Sequence, residues 1–477
     1  MIKSDKKENM VYVIFLSAIA ALGGFLFGYD TAVISGTITS VSAQFNMTDV
    51  SLGWYVGCAL VGSIFGVAIA GKLSDFFGRK PVLLLSAVLF SVSGIGCMLS
   101  ANLDQLVIYR IIGGIGIGVA SVISPLYISE ISVARFRGTL VSLYQLAITV
   151  GFVGAYLANY VILEYATNMQ GEGIAEGLWG TVLVIESWRG MLGAESIPAL
   201  LFFAILFFIP ESPRWLVTKT KETAALKTLG RIYGKESARE QVADLQNIIS
   251  SEHKSDWKIL FQSGFRIALF IGVSLAILGQ FMGVNAVLYY GPSIFQETGL
   301  SEGDSLFYQV IVGFVNVVST IFAMWLIDKI GRKKLVYYGV SGMIVSLVMI
   351  GVYFTVNKSG AIIPPITLLL LILIYIFCCA ISICAVIWVL LSEMYPVKVR
   401  GLAMSAAGFS LWIGTFLIGQ LTPWLMSTLS PAGVFWLFGL MCIPYMYITW
   451  KFVPETTGKS LEDIERMWLQ KKINECP

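Results

Sequence analysis

Apolar residues fill long stretches of this chain, and polar residues gather in the connections between them. Twelve stretches are long enough, at roughly 17–25 residues, to cross about 30 Å of hydrocarbon as helices. Lipid offers backbone N–H and C=O groups no hydrogen-bond partner, so helices are the economical way to span it. The pattern therefore predicts an all-α integral membrane protein with twelve transmembrane helices. Their predicted bounds are 11–38, 52–71, 81–100, 106–128, 140–162, 189–209, 267–290, 306–327, 335–356, 366–391, 402–425 and 432–453.

Composition places the chain in a lipid bilayer. It is 57% hydrophobic and 13% charged, whereas soluble domains carry about 25% charged residues. The net charge of +3 is too small to indicate a nucleic-acid partner. The seven cysteines lie mostly in apolar stretches and favour buried small side chains over a disulfide framework or a metal site. We expect no cofactor.

Basic residues fall in every second connection, with Lys358 as the exception among the alternate ones. By the positive-inside rule, both termini are predicted to be cytoplasmic. The first apolar run is too long for a signal-peptide core and lacks a small-residue cleavage site. These features predict a multi-pass protein of the plasma (inner) membrane.

The two halves of the chain repeat three motifs in the same order, all on the cytoplasmic side. The pairs are Asp75–Lys80 with Asp328–Lys333, Glu130 and Arg137 with Glu393 and Arg400, and Pro210–Trp215 with Pro454–Gly458. Such a duplication predicts two pseudo-symmetric six-helix bundles, at 1–209 and 266–453, around a central site. A cytoplasmic linker of small helices (210–265) and a tail (454–477) complete the predicted organisation.

Asp30 lies inside the first apolar run, where a carboxylate is expensive. An Asp at the centre of a spanning helix costs about 2.5–3.5 kcal/mol, so it marks a functional pathway and needs a partner. At 1.5 Å per residue, Asp30 lies about 12 Å inside Ile38, and Arg110 about 9 Å inside Asp104. Arg110 is therefore the predicted partner. The pair either couples transport to a proton gradient or is a static structural ion pair.

Opposite charges also gather at the cytoplasmic ends of the helices. We interpret them as a cytoplasmic gate that latches the two halves together. The alternative is that the basic members only orient the helices in the membrane. The residues are Asp75, Arg79, Glu130, Arg137, Glu211, Asp328, Arg332, Glu393, Arg400 and Glu455.

Uncharged polar side chains and aromatic rings occur inside the predicted spans, where a simple anchor needs neither. Amides beside aromatic faces suit a neutral polyhydroxylated ligand, because hydroxyls need paired hydrogen bonds and sugar C–H faces stack on rings. Taken singly, the amides also fit interhelical hydrogen bonds, and the rings fit packing. The residues are Gln145, Gln280, Asn285, Asn316 and Thr415, with Phe27, Tyr289, Tyr290, Trp388 and Trp412.

With these motifs in place, the chain resembles the sugar porter family of the major facilitator superfamily over nearly its whole length. Gly28–Gly36 and Tyr109–Gly114 look most like the bacterial proton-coupled pentose and hexose symporters. The resemblance implies that Asp30 is the protonated residue, modulated by Arg110. It also implies sugar contacts from Phe27, Gln145, Gln280, Asn285, Tyr289, Asn316, Trp388 and Trp412.

The chain departs from the family pattern in its second half. Gly279-Gln280 replaces the usual Gln-Gln, and Cys384-Ala385 replaces a Gly-Pro break. Leu411 and Thr415 stand where Gln or Asn are common. We expect a less polar sugar pocket and a stiffer tenth span, with either a different substrate or weakened transport.

The leading hypothesis is a monomeric proton-coupled symporter that takes up a neutral monosaccharide, xylose or a similar pentose or hexose, by alternating access. A facilitative uniporter generally lacks the intramembrane carboxylate, so Asp30 with Arg110 argues against it. A sugar sensor typically has a longer cytoplasmic tail than residues 454–477. An enzyme is disfavoured because no nucleophile–base pair, intramembrane histidine or metal cluster is evident.

Overall fold

The structure is a computed structural model that describes residues 8–172, 177–251, 266–360, 363–395 and 400–453. Within these ranges the regular structure is helical. The α-helices are α1 Met10–Val33, α2 Ile38–Gln44, α3 Asp49–Phe77, α4 Arg79–Leu99, α5 Leu103–Ile131, α6 Arg137–Glu172, α7 Gly177–Gly180, α8 Ser187–Gly193, α9 Ser196–Leu206, α10 Pro213–Thr218, α11 Glu222–Tyr233, α12 Lys235–Ser251, α13 Arg266–Phe281, α14 Val284–Gln296, α15 Glu302–Ile330, α16 Arg332–Lys358, α17 Pro365–Cys379, α18 Ala385–Met394 and α19 Arg400–Lys451.

Among the described residues, 11 helical stretches are long and apolar enough to cross a membrane. The last, Gly401–Lys451, has 51 residues, which at 1.5 Å per residue is about 76 Å, more than twice the hydrocarbon thickness. It is broken at Ser430, whose φ of +63° is not helical, directly before Pro431. This stretch therefore supplies two crossings, and the predicted twelve-helix membrane architecture is confirmed.

The described residues divide into two compact units. Unit one comprises the described parts of 1–31, 61–155 and 189–254, and unit two those of 32–60, 156–188 and 255–477. The last residues of α1 and the first half of α3 thus belong with the C-terminal helices. The same holds for the second half of α6. The predicted bundle boundaries stay a prediction.

In unit one, α1 and α6 approach closely at Gly28, where an added Cβ would meet the Ile148 carbonyl. The cytoplasmic helices α10, α11 and α12 pack around a small apolar core that includes Trp215, Leu229 and Val242. The Asn9 N–H donates to the Ile232 carbonyl oxygen at 2.9 Å, which ties the start of the described chain to α11.

In unit two, the helix α14 contains Pro292. Proline has no N–H, so the Leu288 carbonyl, four residues earlier, lacks its helical donor. Tyr156 Oη donates to this carbonyl at 2.9 Å, and Gln309 Nε2 donates at 3.3 Å. Gly283 (φ +90°) separates α14 from α13 with a left-handed backbone that suits glycine. Side chains from α6 and α15 thus hold this interrupted span.

Candidate functional site

Asp30 and Arg110 meet in the interior of unit one. Both side chains are buried, and Arg110 Nη1 donates to Asp30 Oδ1 and to the Asp30 backbone carbonyl at 3.2 Å. Asp30 Oδ2 accepts no hydrogen bond from the described residues. An added Cβ at Gly113 would lie 2.6 Å from Oδ2, so a glycine is required where α5 passes this oxygen. The second carboxylate oxygen is therefore sheltered and available to a proton.

Glu195 is a third charged group at this position, and the sequence reasoning missed it. It lies on the turn between α8 and α9, is fully buried, and interacts electrostatically with Asp30 and Arg110. Glu195 Oε1 accepts no hydrogen bond from the described residues. Two carboxyl groups therefore interact with one guanidinium, and the three groups together are neutral when one carboxyl carries a proton. The sequence did contain a signal for Glu195, because an acid inside the predicted span 189–209 has the same free-energy cost of burial in the membrane as Asp30.

A neutral polar cluster lies in unit two, where α13, α14 and α19 meet. Gln280 Oε1 accepts from Asn285 Nδ2 at 2.7 Å and from Thr415 Oγ1 at 3.1 Å. Thr415 Oγ1 also lies 2.9 Å from the Leu411 carbonyl oxygen of its own helix, so its single proton is shared between the two acceptors. The hydrogen bonds orient the Gln280 amide so that its NH₂ group points away from both neighbours. Two predicted sugar ligands, Gln280 and Asn285, are thus brought together.

The other predicted sugar ligands are distributed over both units. Phe27 and Gln145 lie on α1 and α6 in unit one, each partly buried. In unit two, Tyr289, Asn316 and Trp412 are buried, whereas Trp388 is 40% exposed. The ring of Trp388 lies beside Gly408, 3.5 Å from the position of an added Cβ.

Three of the predicted gate residues of unit one form an ionic cluster, in which Arg79 and Glu130 are buried and Asp75 is exposed. Arg79 binds Glu130 through two bonds, Nε to Oε2 and Nη2 to Oε1, each 2.9 Å long. Arg79 Nη1 also contacts Asp75 Oδ1 at 3.3 Å. Ser212 Oγ donates to Glu130 Oε2 at 2.5 Å. Arg137 is exposed at the start of α6.

Glu211 caps the first turn of α4. Its Oε1 accepts the backbone N–H groups of Arg79 at 2.9 Å and Lys80 at 3.2 Å. A carboxylate at a helix N-terminus satisfies donors that have no partner within the helix. Burial raises the pKa of Glu211, while the N–H groups of Ser212, Lys80 and Arg79 act in the opposite direction.

The predicted gate residues of unit two form the equivalent ion pair. Arg332 Nη2 donates to Glu393 Oε1 at 3.1 Å. The side chains of Asp328 and Arg400, and the whole of Glu455, lie outside what the structure describes. The sequence repeat is thus matched by a repeated Arg–Glu pair.

Comparison with known proteins places these groups in context. The family model for sugar (and other) transporters matches residues 16–468. The arabinose-proton symporter of Bacillus subtilis is 37% identical over 465 residues, which cover 98% of this chain and 97% of that protein. The D-xylose-proton symporter of Escherichia coli is 37% identical over 497 residues and 97% of both chains. An inward-open structure of the E. coli xylose transporter XylE matches 96% of this chain and 100% of that one at 35% identity, with a TM-score of 0.81.

Proposed function

Since this chain belongs to the sugar transporter family of the major facilitator superfamily, we propose that it is a secondary active transporter that takes up a neutral monosaccharide together with a proton. Its similarity to arabinose-proton and D-xylose-proton symporters over nearly its full length supports a pentose or a similar hexose as substrate. The observation that carries the coupling is the buried contact between Asp30 and Arg110, in which one Asp30 oxygen accepts no hydrogen bond from any residue in the described ranges.

Asp30 is the proposed proton carrier. While Arg110 contacts it, the guanidinium favours the ionised carboxylate. Loss of that contact leaves a carboxylate buried in a dry site, and protonation removes the cost of the unpaired charge. Glu195 adds a second acid beside the pair, so a proton is retained on one of the two carboxyl groups until the geometry changes. The coupling step is therefore the separation and rejoining of Asp30 and Arg110.

The proposed sugar ligands combine amides with aromatic rings. Gln280 and Asn285 supply donors and acceptors for hydroxyl groups, and Phe27, Tyr289, Trp388 and Trp412 supply faces for the sugar ring. Gln145 and Asn316 complete the proposed set. The donors Asn285 and Thr415 both approach Gln280 Oε1 and together hold its amide in one orientation. This orientation limits which hydroxyl pattern the amide accepts.

The cytoplasmic ionic clusters are the proposed inner gate. In unit one, Arg79 is held between Glu130 and Asp75, and in unit two Arg332 is held by Glu393. Alternating access requires such clusters to rearrange when the cytoplasmic side opens. We place both termini in the cytoplasm, the protein in the inner membrane, and the functional unit as a monomer.

Uptake into proteoliposomes tests the coupling. Radiolabelled D-xylose and L-arabinose are supplied with and without an imposed pH gradient. Wild-type protein accumulates sugar only with the gradient, whereas Asp30→Asn exchanges sugar but does not accumulate it, because the amide cannot release a proton. Asp104→Asn, which changes an exposed acid in the first turn of α5, the helix that carries Arg110, is the matched control and behaves as wild type.

Two results would contradict this proposal. Gradient-driven accumulation by Asp30→Asn would remove Asp30 from the coupling step. Wild-type protein that exchanges sugar but never accumulates it would instead be a facilitative uniporter. If neither the wild type nor any variant bound or exchanged sugar, the transport function itself would be contradicted.

A further inference from the structure

Two cysteines face each other within the tenth span. Cys379 ends α17, and Cys384 ends the π-helical turn Ala380–Cys384 that joins α17 to α18. Their sulfur atoms are 3.6 Å apart. A disulfide bond is about 2.05 Å long. The sulfurs are thus about 1.6 Å from bonding distance.

The π-helical turn is what brings the two thiols together. In an α-helix of 3.6 residues per turn, residues five apart are rotated by about 140° around the axis, so their side chains diverge. A π-helical turn closes its hydrogen bonds between residues five apart, which brings such residues toward the same side of the helix. The pair therefore depends on the turn, and a bond between the sulfurs would in return hold the turn in this form.

The turn lies against helices that carry proposed transport residues. An added Cβ at Gly279, next to Gln280, would lie 3.4 Å from Ile383 Cγ2. On another side, Ser382 packs against Gly339 of α16, and its Oγ donates to the Cys378 carbonyl at 2.6 Å. A change in the shape of the turn would therefore shift atoms that contact the residue next to Gln280 in the neutral polar cluster.

We propose that Cys379 and Cys384 form an oxidisable dithiol, and that the resulting disulfide slows transport by holding the tenth span in one shape. The oxidant is a low-molecular-weight disulfide. Cys384, which is partly exposed, attacks one sulfur of the oxidant as a thiolate and releases the first small thiol. The Cys379 thiolate then attacks the Cys384 sulfur and releases the second. The protein loses two hydrogens, and one small disulfide becomes two thiols.

The link to transport rests on the proposed function, whereas the disulfide itself does not. A span whose two halves, α17 and α18, meet at an irregular turn can change its bend there. A covalent bridge across that turn removes this freedom. Trp388 and Glu393 both follow the turn on α18, so the bridge would restrain a proposed sugar ligand and a gate residue together.

The test treats the full chain in proteoliposomes with 2,2′-dipyridyl disulfide, a small membrane-permeant disulfide. Mass spectrometry then examines the peptide that carries both cysteines, and sugar uptake is measured on the same sample. We expect the peptide to become two hydrogens lighter without a pyridyl label, and most of the uptake rate to disappear. Dithiothreitol should restore both the mass and the uptake.

Cys378 offers a matched control, because its sulfur faces Gly342 instead of the pair. The variant Cys378→Ser should respond as wild type, and the double variant Cys379→Ser, Cys384→Ser should keep its uptake under the same treatment. A pyridyl label retained on Cys384, or equal loss of uptake in the double variant, would overturn the proposal. A disulfide without any change in uptake would overturn its effect on transport. Absence of uptake before treatment would count against the transport function, while the mass measurement would still decide whether the disulfide forms.

Discussion

The ionic clusters of the two sequence repeats use the same residue types but differ in their surroundings. In unit one, two 2.9 Å bonds join Arg79 to Glu130, whose side chains are 9% and 3% exposed. In unit two, a 3.1 Å bond joins Arg332 to Glu393, and these side chains are 14% and 24% exposed. The difference teaches that a repeated motif specifies which charges meet, whereas the neighbouring chain determines how strongly they interact.

Burial changes what the loss of one partner costs. An unpaired charge in a dry site costs about 3–5 kcal/mol, whereas an exposed pair contributes about 0–1 kcal/mol. In unit one, Ser212 also donates to Glu130 and Glu211 caps the helix that begins with Arg79. The first cluster is therefore expected to be the more stable of the two, and the second to rearrange more easily.

The largest expected effect is a difference in stability loss between the alanine variants of Arg79 and Arg332. Arg79→Ala should lower the free energy of unfolding by about 3–5 kcal/mol, because Glu130 is left buried without its partner. Arg332→Ala should lower it by about 1 kcal/mol, because Glu393 reaches solvent. Unfolding in mixed micelles measures both, with Arg137→Ala as the exposed control. Equal losses at Arg79 and Arg332 would show that burial does not distinguish the clusters.

Ser212 should account for part of the advantage of the first cluster. Ser212→Ala removes the hydroxyl donor to Glu130 and the N-cap of α10, at a cost of about 1–2 kcal/mol. Ser129→Ala is the matched control, since among the described residues that hydroxyl donates within its own helix, to the Leu126 carbonyl. A loss no greater than that of Ser129→Ala in the same unfolding assay would remove Ser212 from the cluster.

The two lysines that follow the arginines should behave alike. Lys80 Nζ donates to the Phe207 and Ile209 carbonyls, both at 2.8 Å. Lys333 Nζ donates to the Trp450 and Val453 carbonyls at 3.0 and 2.9 Å. Each ammonium group satisfies carbonyls near the end of a helix, so Lys80→Met and Lys333→Met should each cost about 1 kcal/mol. A clearly larger loss at one site in thermal unfolding would contradict this equivalence.

The smallest expected effect is the pH dependence that Glu211 adds to the first cluster. Burial raises the pKa of Glu211 in the folded state, so ionisation costs the folded protein more than the unfolded chain. The stabilisation is complete below the unfolded pKa of about 4.3 and is lost as pH rises through the folded pKa. Glu211→Gln should flatten this fall in a melting series from pH 4 to 8, whereas the exposed control Glu240→Gln should not. An unchanged slope in Glu211→Gln would assign the pH dependence to other groups.

The charged site could be predicted only in part. Asp30 and Arg110 could be predicted because each is a charged residue in an apolar run, where burial in the membrane costs free energy, and because their estimated depths in the membrane match. The same rule applies to Glu195, but its partners are set by the turn between α8 and α9, which does not follow from hydropathy. The roles of all three remain predictions until uptake is measured.

Two further features could not be predicted, because each depends on residues far apart in the chain or on a local irregularity. The Leu288 carbonyl is freed by Pro292, which the sequence reveals, but its donors Tyr156 and Gln309 come from other helices. The approach of Cys379 to Cys384 contradicts the α-helical period that sequence reasoning assumes for a spanning segment.

The sequence by itself determined the membrane class, the helical fold and the family. Hydropathy and repeated motifs can be read from short stretches of sequence, and in lipid a spanning backbone must satisfy its own hydrogen bonds. Apart from the pairing of Asp30 with Arg110, which the sequence also predicted, only the tertiary structure decided which buried polar groups meet. Such contacts depend on angstrom-scale distances between distant helices, and those distances decide whether a pair of charges, amides or thiols can act together.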